Sequence, residues 1–283
     1  MKRSSLGWMT LLFVAFSLFG TSSKAQDFAT TLAKATEAAE LGNYIDAERH
    51  WLRAIYFSKS ENRFEPAFGL GGAYFGQNRL LEAARQYDFA AHLAPTDSLR
   101  AICFFKESQA LLLIPDFKQL RNRLNYLGKQ ADSMLESRRQ FYLGNANFGL
   151  GNAEEAELNF KACTENAFVK AKIHDAFWAE KRLFKKNPKV ASIFSYFVPG
   201  TGQLIAGKPD KALNAVILVG AIAVGGVYAI SSIGLLPAII IVGPTLVRYH
   251  LGSALRAGQL YEKKLNRKKK KLLNEVFNIL EKG

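Results

Sequence analysis

The sequence predicts an all-α protein: a solenoid of stacked helix pairs, then a transmembrane helical hairpin or three-helix module, then a basic amphipathic tail helix. Three observations predict it. A pattern of small and aromatic residues recurs at spacings of 36, 37 and 36 positions through residues 26–170. No charge interrupts the 36 positions from Ala212 to Val247. Charge is also segregated: of a net +14, residues 26–165 carry 16 basic and 18 acidic side chains, and residues 166–283 carry 19 and 6. A basic excess flanking an apolar stretch points to a membrane surface before nucleic acid. The expected divisions are a signal peptide (1–25), a repeat domain (26–187), a membrane domain (188–261) and a basic tail (262–283).

The first 25 residues have the build of a secretory leader. Lys2 and Arg3 precede an apolar run from Leu6 to Phe19, and Ser23-Lys24-Ala25 offers a small-x-small cleavage site. Cleaved or retained as an anchor, it exports the repeat domain behind it. No cysteine stands at the cut to take a lipid. Export permits disulfides, but Cys103 and Cys163 both fall in helical patterns as small apolar packing residues, so they read as two buried thiols or as one bridge.

Within the repeats, Gly or Asn is followed by a bulky residue, an Ala, an aromatic and a second small residue at fixed spacing. The units read Gly42, Tyr44, Ala47, Trp51, Ala54; then Asn78, Leu80, Ala83, Tyr87, Ala90; then Phe117, Leu120, Leu124, Leu127; then Gly151, Ala153, Ala156, Phe160, Cys163. Gly and Asn tolerate the positive φ of a tight turn between antiparallel helices. The alanines let the second helix approach the first, and the aromatics fill space against the next unit. One pair cannot bury its apolar face alone, so pairs stack. Residues 170–186 read as one further helix leading toward the membrane.

This pattern resembles the tetratricopeptide repeat. Leu70-Gly71, Tyr74, Ala83, Tyr87, Ala90 and Pro95 carry the likeness in the second unit, and Leu143-Gly144, Gly151, Ala156 and Phe160 in the fourth. The first has Lys34-Ala35 in place of Leu-Gly, and the third has Phe104-Phe105 there and Leu120 in place of the small Ala. The resemblance implies a concave face lined by the first helix of each pair. Here that face would present Phe68, Phe75, Phe105, Gln109, Arg138, Phe141, Asn145 and Phe148. An aromatic trough with a few polar groups suits an extended peptide or an amphipathic helix; the same phenylalanines are equally what inter-helix packing uses.

The uncharged stretch is too long for one crossing and suits two, roughly 212–231 and 235–251, with breaks offered at Ser231–Gly234 and Pro237. Ala221, Gly225 and Ala229 make a small-residue stripe against which a second helix could pack. A third segment, Val190 to Ala206, crossing fully or re-entering, would bring the basic tail to the cytoplasmic side and satisfy the positive-inside bias. The tail's Lys263, Lys264, Arg267, Lys268, Lys269, Lys270 and Lys271 would then face anionic lipid. Leu272, Leu273, Val276, Phe277 and Leu280 share the apolar face of a membrane-surface helix.

Residues Gly202 to Lys208 spell G-x-x-x-x-G-K, most of a phosphate loop. Pro209 follows where such a loop needs Ser or Thr for Mg²⁺, and no βαβ pattern surrounds it. A polar turn fits better, with Asp210 as N-cap of the following helix. The stretch Pro199-Gly200-Thr201-Gly202-Gln203, with Gly207-Lys208 behind it, resembles the P-G-x-G-Q-x-x-x-G membrane domains of some bacterial envelope proteins, and Ile205 stands where that family usually has an aromatic. That resemblance implies an integral membrane module.

The four histidines are scattered, and no catalytic motif or cofactor site is legible. The spans hold no Asp, Glu or Lys, which argues against an ion pathway. Arg248 and His250 lie near the end of the second span, where snorkelling explains them. The tail lacks the interleaved aromatics of a nucleic-acid site. The expectation is therefore a non-enzymatic adaptor of the bacterial cytoplasmic membrane, with exported repeats, a protein or peptide partner, membrane lipids around it, no cofactor and no nucleic acid. The alternative is an accessory factor for membrane-protein assembly or transport in which the P-G-T-G-Q module acts.

Overall fold

A computed structural model describes residues 27–282, so the expected leader lies outside the described residues. Among them are thirteen α-helices, one 3-10 turn and no strand. They fall into two compact units, one ending at Gly128 and the other beginning at Lys129.

The first unit holds α1 (Phe28–Glu40), α2 (Tyr44–Phe57), α3 (Phe64–Gly76), α4 (Leu80–Leu93), α5 (Asp97–Leu113) and α6 (Phe117–Leu127). Each helix packs on the next. Turns join them in pairs, and the turns share one geometry. Gly42 and Asn78 adopt φ of 73° and 60°. The next residue then donates its N–H to the carbonyl five positions back: Asn43 to Ala38, Arg79 to Tyr74, and Asp116 to Leu111 in the third turn. This closure satisfies carbonyls that the helix end would otherwise orphan. Asn43 and Asp116 then accept from Asp46 N and Gln119 N, so the residue that ends one helix caps its successor.

Close approach explains the glycines of the pattern. A Cβ on Gly71 would lie 2.8 Å from the Tyr87 ring, and one on Gly69 2.5 Å from Trp51. Trp51 thus packs forward onto the following pair, as expected. Tyr87 packs back onto its own pair's first helix instead, because Gly71 opens a slot there. Ala35, Ala47, Trp51, Leu70 and Ala73 form one buried cluster, and Ala67, Ala90, Ala91, Cys103 and Phe104 another.

The second unit starts with α7 (Ser133–Leu150) and α8 (Ala153–Lys161), joined by the same turn: Gly151 at φ 87°, and Asn152 N–H to the Asn147 carbonyl. Phe160 lies over Gly144, whose Cβ would come within 2.8 Å of the ring. Next come α9 (Ala167–Ala179), α10 (Lys189–Phe197), α11 (Thr201–Ile205), α12 (Pro209–Ile233) and α13 (Leu235–Lys282). The expected single helix over 170–186 ends at Ala179.

Helices α12 and α13 are long and apolar enough to cross a membrane. They lie side by side in opposite directions about Gly234 (φ 85°). The covered stripe of α12 is Ala212, Ala215, Val219, Ile222 and Gly226, where a Cβ on Gly226 would meet Val242 at 3.3 Å. This replaces the expected stripe of Ala221, Gly225 and Ala229, of which Ala221 and Gly225 are exposed. A strict four-residue step drifts around a 3.6-residue helix, and the 3-4-3-4 series keeps to one face. Pro209, at the first position of α12, starts the helix where a missing N–H costs nothing; Lys208, not Asp210, is the capping residue.

Two expectations are corrected here. Residues 190–206 hold no helix long enough for the full crossing: α10 and α11 reach about 14 and 8 Å, against a hydrocarbon core of about 30 Å. The tail is not a separate surface helix either. It continues α13 without a break, and its apolar face is spent on the same unit. Leu272 and Val276 are buried in one cluster with Phe148, Phe160, Ile173 and Phe177, and Phe277 and Leu280 pack against it.

Candidate functional site

The P-G-T-G-Q residues build a polar joint where α10, α11 and α13 meet. Gly200 takes φ 94°, and a Cβ there would lie 2.8 Å from the Ala212 carbonyl oxygen. At Gly202 a Cβ would overlap the Ala191 carbonyl oxygen at 1.9 Å, so only glycine lets α11 touch α10. Ser195 Oγ accepts from Gly202 N at 2.8 Å and donates to Gln203 Oε1 at 2.8 Å. Gln203 Nε2 donates to the Ser253 carbonyl and to Ser253 Oγ, each at 3.0 Å. Ser195 and Gln203 are buried, so these bonds satisfy groups that would otherwise be costly. Behind them, Gly258 admits Ser192 against α13. The motif is thus a latch fixing two short helices to the long one. Pro199 introduces the bend. Gly207 and Lys208 form the turn into α12, and among the described residues no strand precedes them, as one does in a phosphate loop.

The tail cations are variously engaged. Lys264 Nζ donates to the Ile205 carbonyl at 2.9 Å, Lys268 lies 3.8 Å from Glu180, and Lys269 sits 5.2 Å over the Phe184 ring. Arg267, Lys270 and Lys271 are exposed. With Lys208, Lys263 and Lys264, some of these line a cavity of about 470 Å³ beside Gly207.

The residues expected to line a concave groove divide. Phe105 is 2% exposed, and Asn145 and Phe148 are 6% exposed, so these three are core and not groove. Their placement has simple causes. Asn145 Nδ2 donates to the Phe141 carbonyl, and the Phe148 ring packs edge-on against Phe177 and Phe184. Phe68, Phe75 and Gln109 remain partly open in the first unit. In the second, Arg138 and Phe141 line a cavity of about 540 Å³, and Leu280 of α13 forms part of its wall. Phe141 lies 5.2 Å from the Phe277 ring, so the chain's own amphipathic helix occupies ground expected for a partner.

A buried ion cluster in the first unit had no sequence signature. Glu107, 1% exposed, is bridged by Arg123 Nε at 3.0 Å; Arg123 also pairs with Asp88 and lies 4.8 Å from the Phe104 ring centroid. Burial pushes the Glu107 carboxyl up to about 8. Burial also pushes the free Cys103 and Cys163 thiols up to about 12, so neither is a ready nucleophile.

A scan against protein-family models finds no match, and neither a search of curated proteins nor one of solved structures returns any. What the fold defines is an all-helical protein carrying two helices long and apolar enough to cross a membrane.

Proposed function

We propose that the protein is a membrane-anchored scaffold of the bacterial cell envelope, in which a tetratricopeptide-like solenoid holds a protein or peptide partner and a two-helix hairpin fixes it in the cytoplasmic membrane. The observation that carries this reading is α13. One unbroken helix has an apolar first half suited to a bilayer and a second half packed on α7, α8 and α9. Those helices and the anchor are therefore a single mechanical piece. The partner would lie on the half-open aromatic and polar residues of α3 and α5, namely Phe68, Phe75 and Gln109. The saturated bonding of Ser195, Gln203 and Ser253 favours this scaffold over an accessory factor acting through the P-G-T-G-Q motif, because those groups are already committed to each other.

Two crossings return the chain to the side it came from. If the leader exports the helix pairs, the basic tail lies beside them and not in the cytoplasm. This runs against the positive-inside bias, but separating the two would expose Leu272, Val276 and Phe277, each worth about 1.5–3 kcal/mol of burial.

Single cysteines on a cysteine-free background, one in α2 and one at Lys270, test the topology with an impermeant maleimide in intact and permeabilised spheroplasts. Equal labelling of both sites without permeabilisation is expected, and labelling from opposite sides would overturn it. Capture of one specific protein by the full chain, lost in Phe75→Ala, tests the scaffold; unchanged capture by that variant and by Phe68→Ala would sink the proposed face.

A further inference from the structure

Arg248 lies deeper along α13 than the snorkelling expected at the end of a span accounts for. It stands thirteen positions beyond Leu235, about 20 Å along α13. If the apolar helices span a core of about 30 Å, its Cα lies about 10 Å inside the near boundary. A cation at that depth is retained where it finds an anion or a hydrated cavity. Here it opens onto a cavity of about 460 Å³ between α12, α13 and the Gln203 latch.

The lining is two-sided. Arg248, Gly252 and Arg256, at four-residue steps along α13, all line the cavity, and Lys211 lines it from α12. Ala215, Leu218 and Val219 form an apolar floor that continues onto the exposed hydrophobic surface of α12. No carboxylate lines the cavity; Asp210 stands outside it, 3.8 Å from Lys211 Nζ. Three cations above an apolar track match a ligand with a phosphate at one end and hydrocarbon at the other. Guanidinium groups suit phosphate oxygens through paired N–H donors, and basic pockets between membrane helices are where anionic headgroups are held.

From this juxtaposition we infer that the cavity binds one anionic phospholipid, its phosphate between Lys211, Arg248 and Arg256 and its acyl chains along Leu218 and Val219. The inference rests on the membrane-anchor reading. Gly252 gives the site a control that leaves every charge in place. Gly252 lines the cavity and a Cβ there meets nothing within 4 Å, so a side chain starts from it without strain.

The test is native mass spectrometry of the full chain in an uncharged detergent, titrated with phosphatidylglycerol, with phosphatidylcholine, and with glycerol 3-phosphate as a headgroup without chains. One retained phosphatidylglycerol is expected, bound at least tenfold more tightly than phosphatidylcholine. Arg248→Gln and Gly252→Leu should each weaken it about tenfold, Arg248→Lys should restore most of it, and Lys270→Gln should change nothing. Equal binding of the two lipids, or full retention by both Arg248→Gln and Gly252→Leu, overturns the inference. So does displacement of the lipid by equimolar glycerol 3-phosphate, which would assign the site to a soluble phosphate. Alkaline carbonate extraction of membranes separates the two layers. A chain released to the supernatant refutes the anchor, and a chain retained without lipid preference refutes this site alone.

Discussion

Replacing Arg123 by alanine removes the cation that faces a carboxylate 1% exposed, with its Nε 3.0 Å from Glu107. Burial raises the Glu107 carboxyl from 4.5 to about 8, which corresponds to about 5 kcal/mol between its two protonation states. The variant leaves that buried carboxyl without its cation, so the expected loss at pH 8 is about 3–5 kcal/mol, the range for breaking one side of a buried pair. The sign follows from linkage. A folded-state value above the unfolded one means that the folded chain holds the extra proton. Stability is therefore full below about pH 4.5 and is lost as pH rises toward 8. Urea unfolding of the full chain in uncharged detergent, followed by far-UV circular dichroism and by fluorescence of the buried Trp51, measures both. Arg123→Ala should be less stable than the native chain throughout, and both should lose stability as pH rises from 5 to 8. Adding Glu107→Gln should remove that slope and recover most of the loss at pH 8. A flat profile for Arg123→Ala, or a cost below about 1 kcal/mol at pH 8, would refute the reasoning.

Gly202→Ala forces a Cβ into the Ala191 carbonyl oxygen, so α11 must leave α10; a loss of about 2–4 kcal/mol and new proteolysis near Gly200 are expected, and an unchanged digestion pattern would contradict the latch. Gln203→Leu strands the Ser195 and Ser253 hydroxyls and should cost about 1–3 kcal/mol in thermal unfolding of the detergent-solubilised chain. Val276→Ala opens a cavity between α13 and the Phe160–Phe177 cluster, and should cost about 1–3 kcal/mol and expose the tail to trypsin without releasing the chain from membranes. Cys103 and Cys163 should stay unmodified by maleimide at pH 7.5 and react fully in denaturant, because burial holds both thiols near 12.

Helix positions and turns were legible because their causes are local. Gly42, Asn78 and Gly151 announce a positive φ, and each stands at a turn. The uncharged run announced α12 and the start of α13 by composition alone, and the Ser231–Gly234 break fell at Gly234. What escaped the sequence is what depends on long-range contact. Phe148 and Phe75 look alike as helical phenylalanines, yet the first is buried against Phe177 of α9 and the second stays half-buried. The amphipathic pattern from Leu272 to Leu280 specified that one face would be covered, but a bilayer and a neighbouring helix satisfy it equally. Glu107 and Arg123 lie 16 positions apart on different helices, and nothing periodic links them. P-G-T-G-Q was recognisable as a motif, while its use as a latch required Ser195 and Ser253, residues with no special spacing.

A helix of 48 residues that never breaks between Leu235 and Lys282 is a rod about 72 Å long. Pro244, which cannot donate to the helical ladder, is its built-in point of weakness. Below that point the rod is hydrocarbon-seeking; above it, the Gln203 latch and the Phe160 cluster grip it at two heights. A pull or twist applied to the pair α7 and α8 is thereby carried along the rod as far as that point, and what passes it reaches the apolar half.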